Sequence, residues 1–196
     1  GSLLGDGFLT KNSNRSKEYC FRVFHTEKQR NYLLWKSKML KELHPRIGSR
    51  SSELFTPTHK MFTDMRVAFY KTRTRKNCLA NSYVGILDWL GFLIWYLDDG
   101  GLQSRRRDMT ITSKLFDSNE LRDVISRLNM RFGIHMSLRL YKHRNGVMCR
   151  VRVPYTDRLF VSKKFNELFI EYSIPQDVRY KIDLSPLKQV KKLEKI

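Results

Sequence analysis

Trp89-Leu-Gly-Phe-Leu-Ile-Trp-Tyr-Leu-Asp-Asp-Gly-Gly101 joins an uncharged run, Trp89 to Leu97, to two carboxylates and two glycines. The run is too short for a bilayer, which takes about 20 residues. It reads as a buried helix ending at Gly100 or Gly101, where a left-handed cap residue is expected. Asp98 and Asp99 are oddly placed there. A helix C-terminus already carries partial negative charge, so acids at that end need a cation, a proton or solvent to offset them. Taken alone, the stretch reads equally well as a solvated helix end.

A second copy changes the weighting. The chain opens Gly1-Ser-Leu-Leu-Gly-Asp-Gly7, and aligning Asp6-Gly7 with Asp99-Gly100 sets Gly5 on Asp98 and Leu4 on Leu97. The first copy has one acid before its glycine, so Asp99 rather than Asp98 is the matched carboxylate. The offset, 99 − 6 = 93 positions, is the size of a small folded unit. Repetition at such a period sets architecture: two matched helices, each ending in Asp-Gly, form a pseudo-symmetric pair that brings two carboxylates together. Because the chain opens inside the first copy, upstream residues are expected to complete that helix.

With 196 residues the chain has room for one large domain or two small ones. Hydrophobic residues make up 41%, with 12 Phe, 9 Tyr and 3 Trp, which is ample for a core. Lys plus Arg number 38 against 19 Asp plus Glu, a net charge of +19 that points to a polyanionic partner. Nucleic acid fits better than a membrane, since no long basic amphipathic helix stands out. Cys20, Cys78 and Cys149 form no Cys-x-x-Cys pair, which argues against structural zinc or a disulfide framework. His25, His44, His59, His135 and His143 show no ligand spacing, and each reads as a surface or phosphate-contacting residue.

The first half continues with strands over Phe8 to Asn14 and Glu18 to His25, with Tyr19, Phe21 and Val23 on one face. A helix follows from about Glu27 to Leu43, burying Tyr32, Trp35, Met39, Leu40 and Leu43 and ended by Pro45. Two short strands around Ser49 to Ser52, a helix over Lys60 to Tyr70 and a basic connector, Lys71 to Lys76, complete it. The second half has strands over Gly101 to Arg105 and Met109 to Ser113. A helix from about Asn119 has an Asp117/Glu120 capping box, a Leu121, Val124, Ile125, Leu128, Phe132 stripe and a Gly133 stop. Asn145-Gly146 between alternating strands, Met136 to Arg144 and Val147 to Val153, is a strong hairpin signal. Its apolar face takes Met136, Leu138, Leu140, Val147, Cys149, Val151 and Val153. The other face carries Arg139, Tyr141, His143, Met148, Arg150 and Arg152, which suits a β-ribbon in the DNA major groove. A last helix runs from about Asp157 to Tyr172, with Thr156 as its cap.

The fold class is therefore α+β: a pseudo-two-fold repeat of two αββαββα halves, whose antiparallel sheets, side by side, would give a long concave basic surface. The halves are residues 1–76 and 86–182, joined by a linker, 77–85, and followed by a basic tail, 183–196.

Gly1 to Gly7 and Phe92-Leu-Ile-Trp-Tyr-Leu-Asp-Asp-Gly100 resemble the two copies of the LAGLIDADG motif, and the chain resembles the monomeric, two-motif LAGLIDADG homing endonucleases over nearly its whole length. Ile174-Pro-Gln-Asp-Val-Arg-Tyr-Lys181 resembles the family segment ending in an active-site lysine, and Lys76 is its first-half counterpart. The resemblance implies that the antiparallel sheets form a DNA-binding saddle with the two motif helices packed at its centre, and that the protein is a site-specific endonuclease cutting both strands of a long asymmetric DNA target. Asp6, Asp99, Lys76 and Lys181 would be catalytic. Asp6 and Asp99, with the backbone of Gly5 and Asp98, would hold Mg2+ or Mn2+; Ca2+ would bind without supporting cleavage. The DNA-contacting set would be Thr10, Asn12, Arg15, Gln103, Arg105, Arg106, Arg107, Thr110, Thr112, Arg139, Tyr141, His143, Arg150 and Arg152. The expected partner is double-stranded DNA, with host intron RNA as a second candidate, no membrane, and a monomeric state. An intracellular setting, organellar or not, fits. The rival reading is an RNA-binding intron maturase on the same scaffold that cuts little or no DNA; a DNA-binding regulator would need a further domain. One departure stands out: Ile94, followed by Trp95 and Tyr96, occupies the position of the motif's first glycine, where the two helices are expected to pack less closely or asymmetrically.

Overall fold

The computed structural model describes residues 1–48, 52–70, 85–103, 108–113, 117–143 and 146–182. Lys71 to Lys76, most of the expected linker, Arg105, Arg106, Arg107, the Asn145 turn and the 183–196 tail lie outside these residues, as does the side chain of His143.

Each half builds one four-stranded antiparallel sheet. In the first, β1 (Phe8–Thr10), β2 (Cys20–Phe24), β3 (Arg46–Ile47) and β4 (Glu53–Phe55) lie in the order β1-β2-β4-β3. In the second, β5 (Gly100–Leu102), β6 (Met109–Ser113), β7 (Ser137–His143) and β8 (Gly146–Val153) lie in the order β5-β6-β8-β7. The helices are α1 (Arg30–Met39), α2 (Lys60–Phe69), α3 (Trp89–Asp99), α4 (Ser118–Phe132) and α5 (Tyr155–Glu171), followed by a 3-10 segment, Gln176–Lys181. The repeat is thus legible in both element order and strand order. Among the described residues no helix is long and apolar enough to cross a membrane.

Strand alternation decides which side of each sheet is covered. Leu9, Phe21, Val23 and Leu54 turn inward with Leu33 and Phe62 into a smaller core cluster. Met109, Ile111, Cys149, Val151 and Val153 turn inward beneath α3, α4 and α5 into a larger one, which also takes Leu4, Tyr32, Trp35 and Phe69 from the first half. On the outer faces Phe24, Arg46 and Arg139 are exposed, and Phe8, Arg22, Phe55, Thr112 and Arg150 are half-buried.

Several local expectations need correction. Gly100 is not left-handed: its φ of −94° and ψ of 168° are extended, and α3 runs straight into β5. A glycine is required for another reason, because a Cβ there would lie 2.4 Å from Tyr96. The left-handed stop occurs instead at Gly133, φ 64°, whose N–H donates to Asn129 O. Asp117 caps α4 as expected, accepting from the N–H groups of Asn119 and Glu120. The cap of α5 is Pro154 rather than Thr156, since proline's fixed φ suits the residue that leads into the first turn. Met39 and Leu140 are exposed rather than buried, Met39 at the end of its helix and Leu140 on the edge strand β7.

Candidate active site and nucleic-acid interface

The first motif copy is a single helical turn, closed by bonds from Leu4 N to Gly1 O and from Gly7 N to Ser2 O. It packs against α3 with almost no side chain between them. A Cβ on Gly5 would stand 2.4 Å from Asp98 Cβ, and one on Gly1 would stand 2.4 Å from Gly91 O and 2.7 Å from Ile94 Cβ. Of the two expectations at Ile94, looser packing is corrected and asymmetric packing is found: the bulk of Ile94 is matched by the missing side chain of Gly1. This close approach brings Asp6 beside the acidic end of α3.

Asp98 is the buried acid of that end. Its side chain has no solvent exposure, and its Oδ1 accepts from Lys36 Nζ at 2.7 Å and from the Tyr32 hydroxyl at 3.1 Å. Lys36 also reaches His25 Nε2 at 3.0 Å and lies over the Tyr32 ring. An ammonium can only donate, so the His25 ring carries its proton on Nδ1, which faces Asp6 Oδ2 at 3.6 Å. Burial, followed by the nearby Lys36 charge, lowers the His25 pKa to about 4, so the ring is neutral at pH 7. Burial, reinforced by Asp98, raises that of Tyr32.

The helix end receives a second cation. Lys181 Nζ donates to Leu97 O at 2.5 Å and to Asp98 O at 3.0 Å, capping the last carbonyls of α3. The Tyr96 hydroxyl donates to Lys181 O at 2.6 Å and fixes the segment in place. Burial lowers the pKa of Lys181, while Asp98, Asp6 and Asp99 together pull it up. One ammonium therefore senses all three acids. The offset that the sequence demanded comes from Lys36 and Lys181, one from each half.

Donor atoms of Asp6, His25 and Asp98 lie within 4.8 Å of one another, a spacing suited to a cation. The Lys36 ammonium already stands against two of these three residues. The sequence reading missed Lys36, Tyr32, His25 and the side chain of Asp98. Two signals were present. Lys36 falls on the buried stripe one turn after Tyr32, and His25 continues the inward alternation of Phe21 and Val23. His25 is thus a buried residue and not a surface one.

The strand residues divide in their availability. On the second sheet Arg139 is exposed, and Thr112, Tyr141 and Arg150 are half-buried. Arg139 and Thr112 flank Arg150 across the strands, and the Arg150 guanidinium lies 4.4 Å from the Tyr141 ring centroid. Arg152 is less free than its position suggested. Its Nε and Nη2 donate to both oxygens of buried Asp108, at 2.6 and 3.1 Å. Thr110 is buried, with its hydroxyl toward Gly101 O. Gln103 follows β5 and is half-buried. In the first half Thr10 is half-buried, Asn12 and Arg15 are exposed, and Asn12 Oδ1 accepts from Arg22 and from Cys20. Of His143, only the backbone pairing with Gly146 is described.

A model of the LAGLIDADG DNA endonuclease family matches residues 1–157. Protein RecA of Mycolicibacterium flavescens is 29% identical over 194 residues, covering 93% of this chain and 44% of the relative. A probable intron-encoded DNA endonuclease 3 of Mycosarcoma maydis is 27% identical over 130 residues, 65% of this chain and 89% of the relative. The chain spans less than half the length of the RecA relatives it matches. Among solved structures, the homing endonuclease I-WcaI bound to its DNA recognition sequence has a TM-score of 0.69 at 18% identity, covering 93% of this chain and 82% of that one. I-DmoI in complex with DNA and Ca has a TM-score of 0.59 at 17% identity, covering 90% and 93%. The fold is that of these endonucleases.

Proposed function

Because the chain belongs to the LAGLIDADG DNA endonuclease family, we propose that it is a site-specific endonuclease that hydrolyses both strands of a long asymmetric duplex with a divalent cation. The observation that carries this reading is the convergence of donor atoms of Asp6, His25 and Asp98 to within 4.8 Å of one another at the end of α3, where Lys181 Nζ caps the last carbonyls. The divalent ions named with DNA-bound I-DmoI, Ca and Mn, support it by analogy.

Asp6 and Asp99, with the carbonyl of Gly5, would hold the cation, magnesium or manganese for cleavage and calcium for binding alone; the Asp98 carbonyl, the other expected backbone donor, is already bonded to Lys181 Nζ. The donors are all oxygens, as hard cations prefer. Asp98 Oδ2, buried without a hydrogen-bond partner, adds a further oxygen beside them. A bound cation would supply Lewis acidity to activate water and to stabilise the leaving 3′ oxygen. Lys181 offsets negative charge developing at the scissile phosphate, and Lys76 is its first-half counterpart. Lys36 holds Asp98 in the buried centre. His25 Nδ1 faces Asp6 Oδ2 at 3.6 Å, within reach of a hydrogen bond to that carboxylate on a small shift, the way partners of metal ligands orient them. The open sheet faces straddle the duplex, with Arg139 and Arg150 among the side chains aimed at bases or phosphates. The protein acts as a monomer, since both halves of the site are in one chain.

The test is cleavage of a randomised duplex library in magnesium, beside Asp99→Asn. Metal-dependent cuts at one long motif are expected, lost by about a thousandfold or more in the variant while DNA binding persists. Absence of cleavage together with tight binding of a structured intron RNA would replace the proposal with the maturase reading.

A further inference from the structure

The strand registers align the outer faces of the two sheets position by position. The inward pairs Val23–Leu54 and Ile111–Val151 are buried and equivalent. Their outward neighbours are then Arg22–Phe55 against Thr110–Arg152, and Phe24–Glu53 against Thr112–Arg150. On the flanking strand, Phe8 opposite Arg22 corresponds to Gly101 opposite Thr110. Where the second half carries Arg150 and Arg152, the first therefore carries Glu53 and Phe55. Where the second carries Thr112 and Gly101, the first carries Phe24 and Phe8.

The first-half face is thus aromatic at its centre. Phe24 is 49% exposed, and its ring stacks on Phe8 with centroids 5.8 Å apart and planes 16° apart. The charge of Arg22 is answered by Glu53 at 3.0 Å, and its guanidinium lies over Phe55. The margin remains cationic, with Lys11, Arg15, Lys17 and Arg46 exposed. A cationic rim around an apolar centre suits a polyanion that presents an apolar group. In the major groove of DNA that group is the C5-methyl of thymine, which phenylalanine contacts.

We propose that Phe8, Phe24 and Phe55 form a patch that reads thymine methyls, so that the first half selects a thymine-rich half-site. The second half, through Arg139 and Arg150, selects guanine. This rests on the reading that the chain binds duplex DNA. Phe24 is exposed and Phe8 and Phe55 are half-buried, so their remaining apolar surface loses water contact only when the groove is occupied, which ties the hydrophobic gain to the bound sequence.

The test is selection of bound duplexes from a randomised library in calcium, followed by replacement of each selected thymine by deoxyuridine, which removes the methyl and keeps the pairing. Thymines should cluster in one half-site, and each contacted methyl should be worth about fourfold in affinity. In Phe24→Ser, a change at a half-exposed side chain, that sensitivity should disappear at one or two positions. A selected duplex that is insensitive to deoxyuridine, or a sensitivity that survives Phe24→Ser, overturns the inference alone. Preference for single strands over duplex overturns it in favour of base stacking. Failure to select any duplex removes the DNA-binding reading itself, and the inference with it.

Discussion

The two halves share strand order and register but differ in charge at matched positions. In the second half the motif helix ends in a buried acid, Asp98, exactly opposite a first-half residue with no side chain, Gly5. In the first half α1 carries the buried cation, Lys36, that Asp98 requires. The outer faces differ in the same complementary way, one aromatic and one rich in arginine. A repeat can thus keep its backbone symmetry while its side chains become dependent on each other across the axis. The centre is therefore asymmetric even though both motif copies end in Asp-Gly.

The largest expected effect comes from cutting that dependence. Lys36→Met leaves Asp98 buried without its cation and should cost about 3–5 kcal/mol in chemical denaturation. Adding Asp98→Asn should recover much of the loss. A cost below about 1 kcal/mol for the single change would show that the cross-half pair does not hold the end of α3.

His25 gives a pH signature. Its folded pKa of about 4 lies below its ordinary 6.5, so between these values the unfolded chain binds the extra proton. Stability, measured without added metal, should be full above pH 6.5 and fall as pH drops toward 4, by at most about 3 kcal/mol. His25→Gln should flatten that slope; an unchanged slope would assign it to other groups.

Packing should also be tighter at the contact of the motif helices than on the strand that follows α3. Gly5→Ala drives a methyl into Asp98 and should cost about 1–3 kcal/mol. Gly101→Ala, with nothing within 4 Å of the added carbon, should stay within about 0.5 kcal/mol. Equal effects would mean that the helix contact is not tight.

The smallest contrast lies on the second sheet. Arg150→Ala should lower DNA affinity by about 1 kcal/mol and relax the preference at one base pair; an even loss across sequences, with a salt slope flatter by about one, would show that it meets phosphate and not guanine. Arg152→Ala should instead destabilise the fold, because buried Asp108 loses both its bonds. Urea titration and binding isotherms of the two variants separate these roles.

Repetition and turn chemistry are written along the chain, and they were readable: the Asp117 cap, the Gly133 stop and the pairing of β7 with β8 need only neighbours in sequence, and the Asp6/Asp99 repeat needs only comparison of the chain with itself. The sequence by itself therefore determined the two-half α+β architecture, the excess of positive charge and the matched acids. Only the tertiary structure decided what offsets those acids. Lys36 and Asp98 are 62 positions apart, and Lys181 and Asp98 are 83 apart. A charge on a buried stripe has no meaning until the opposing helix supplies its counter-ion. Arg152 and Arg150 look alike in sequence for the same reason, and Asp108, folded onto one of them, makes them different.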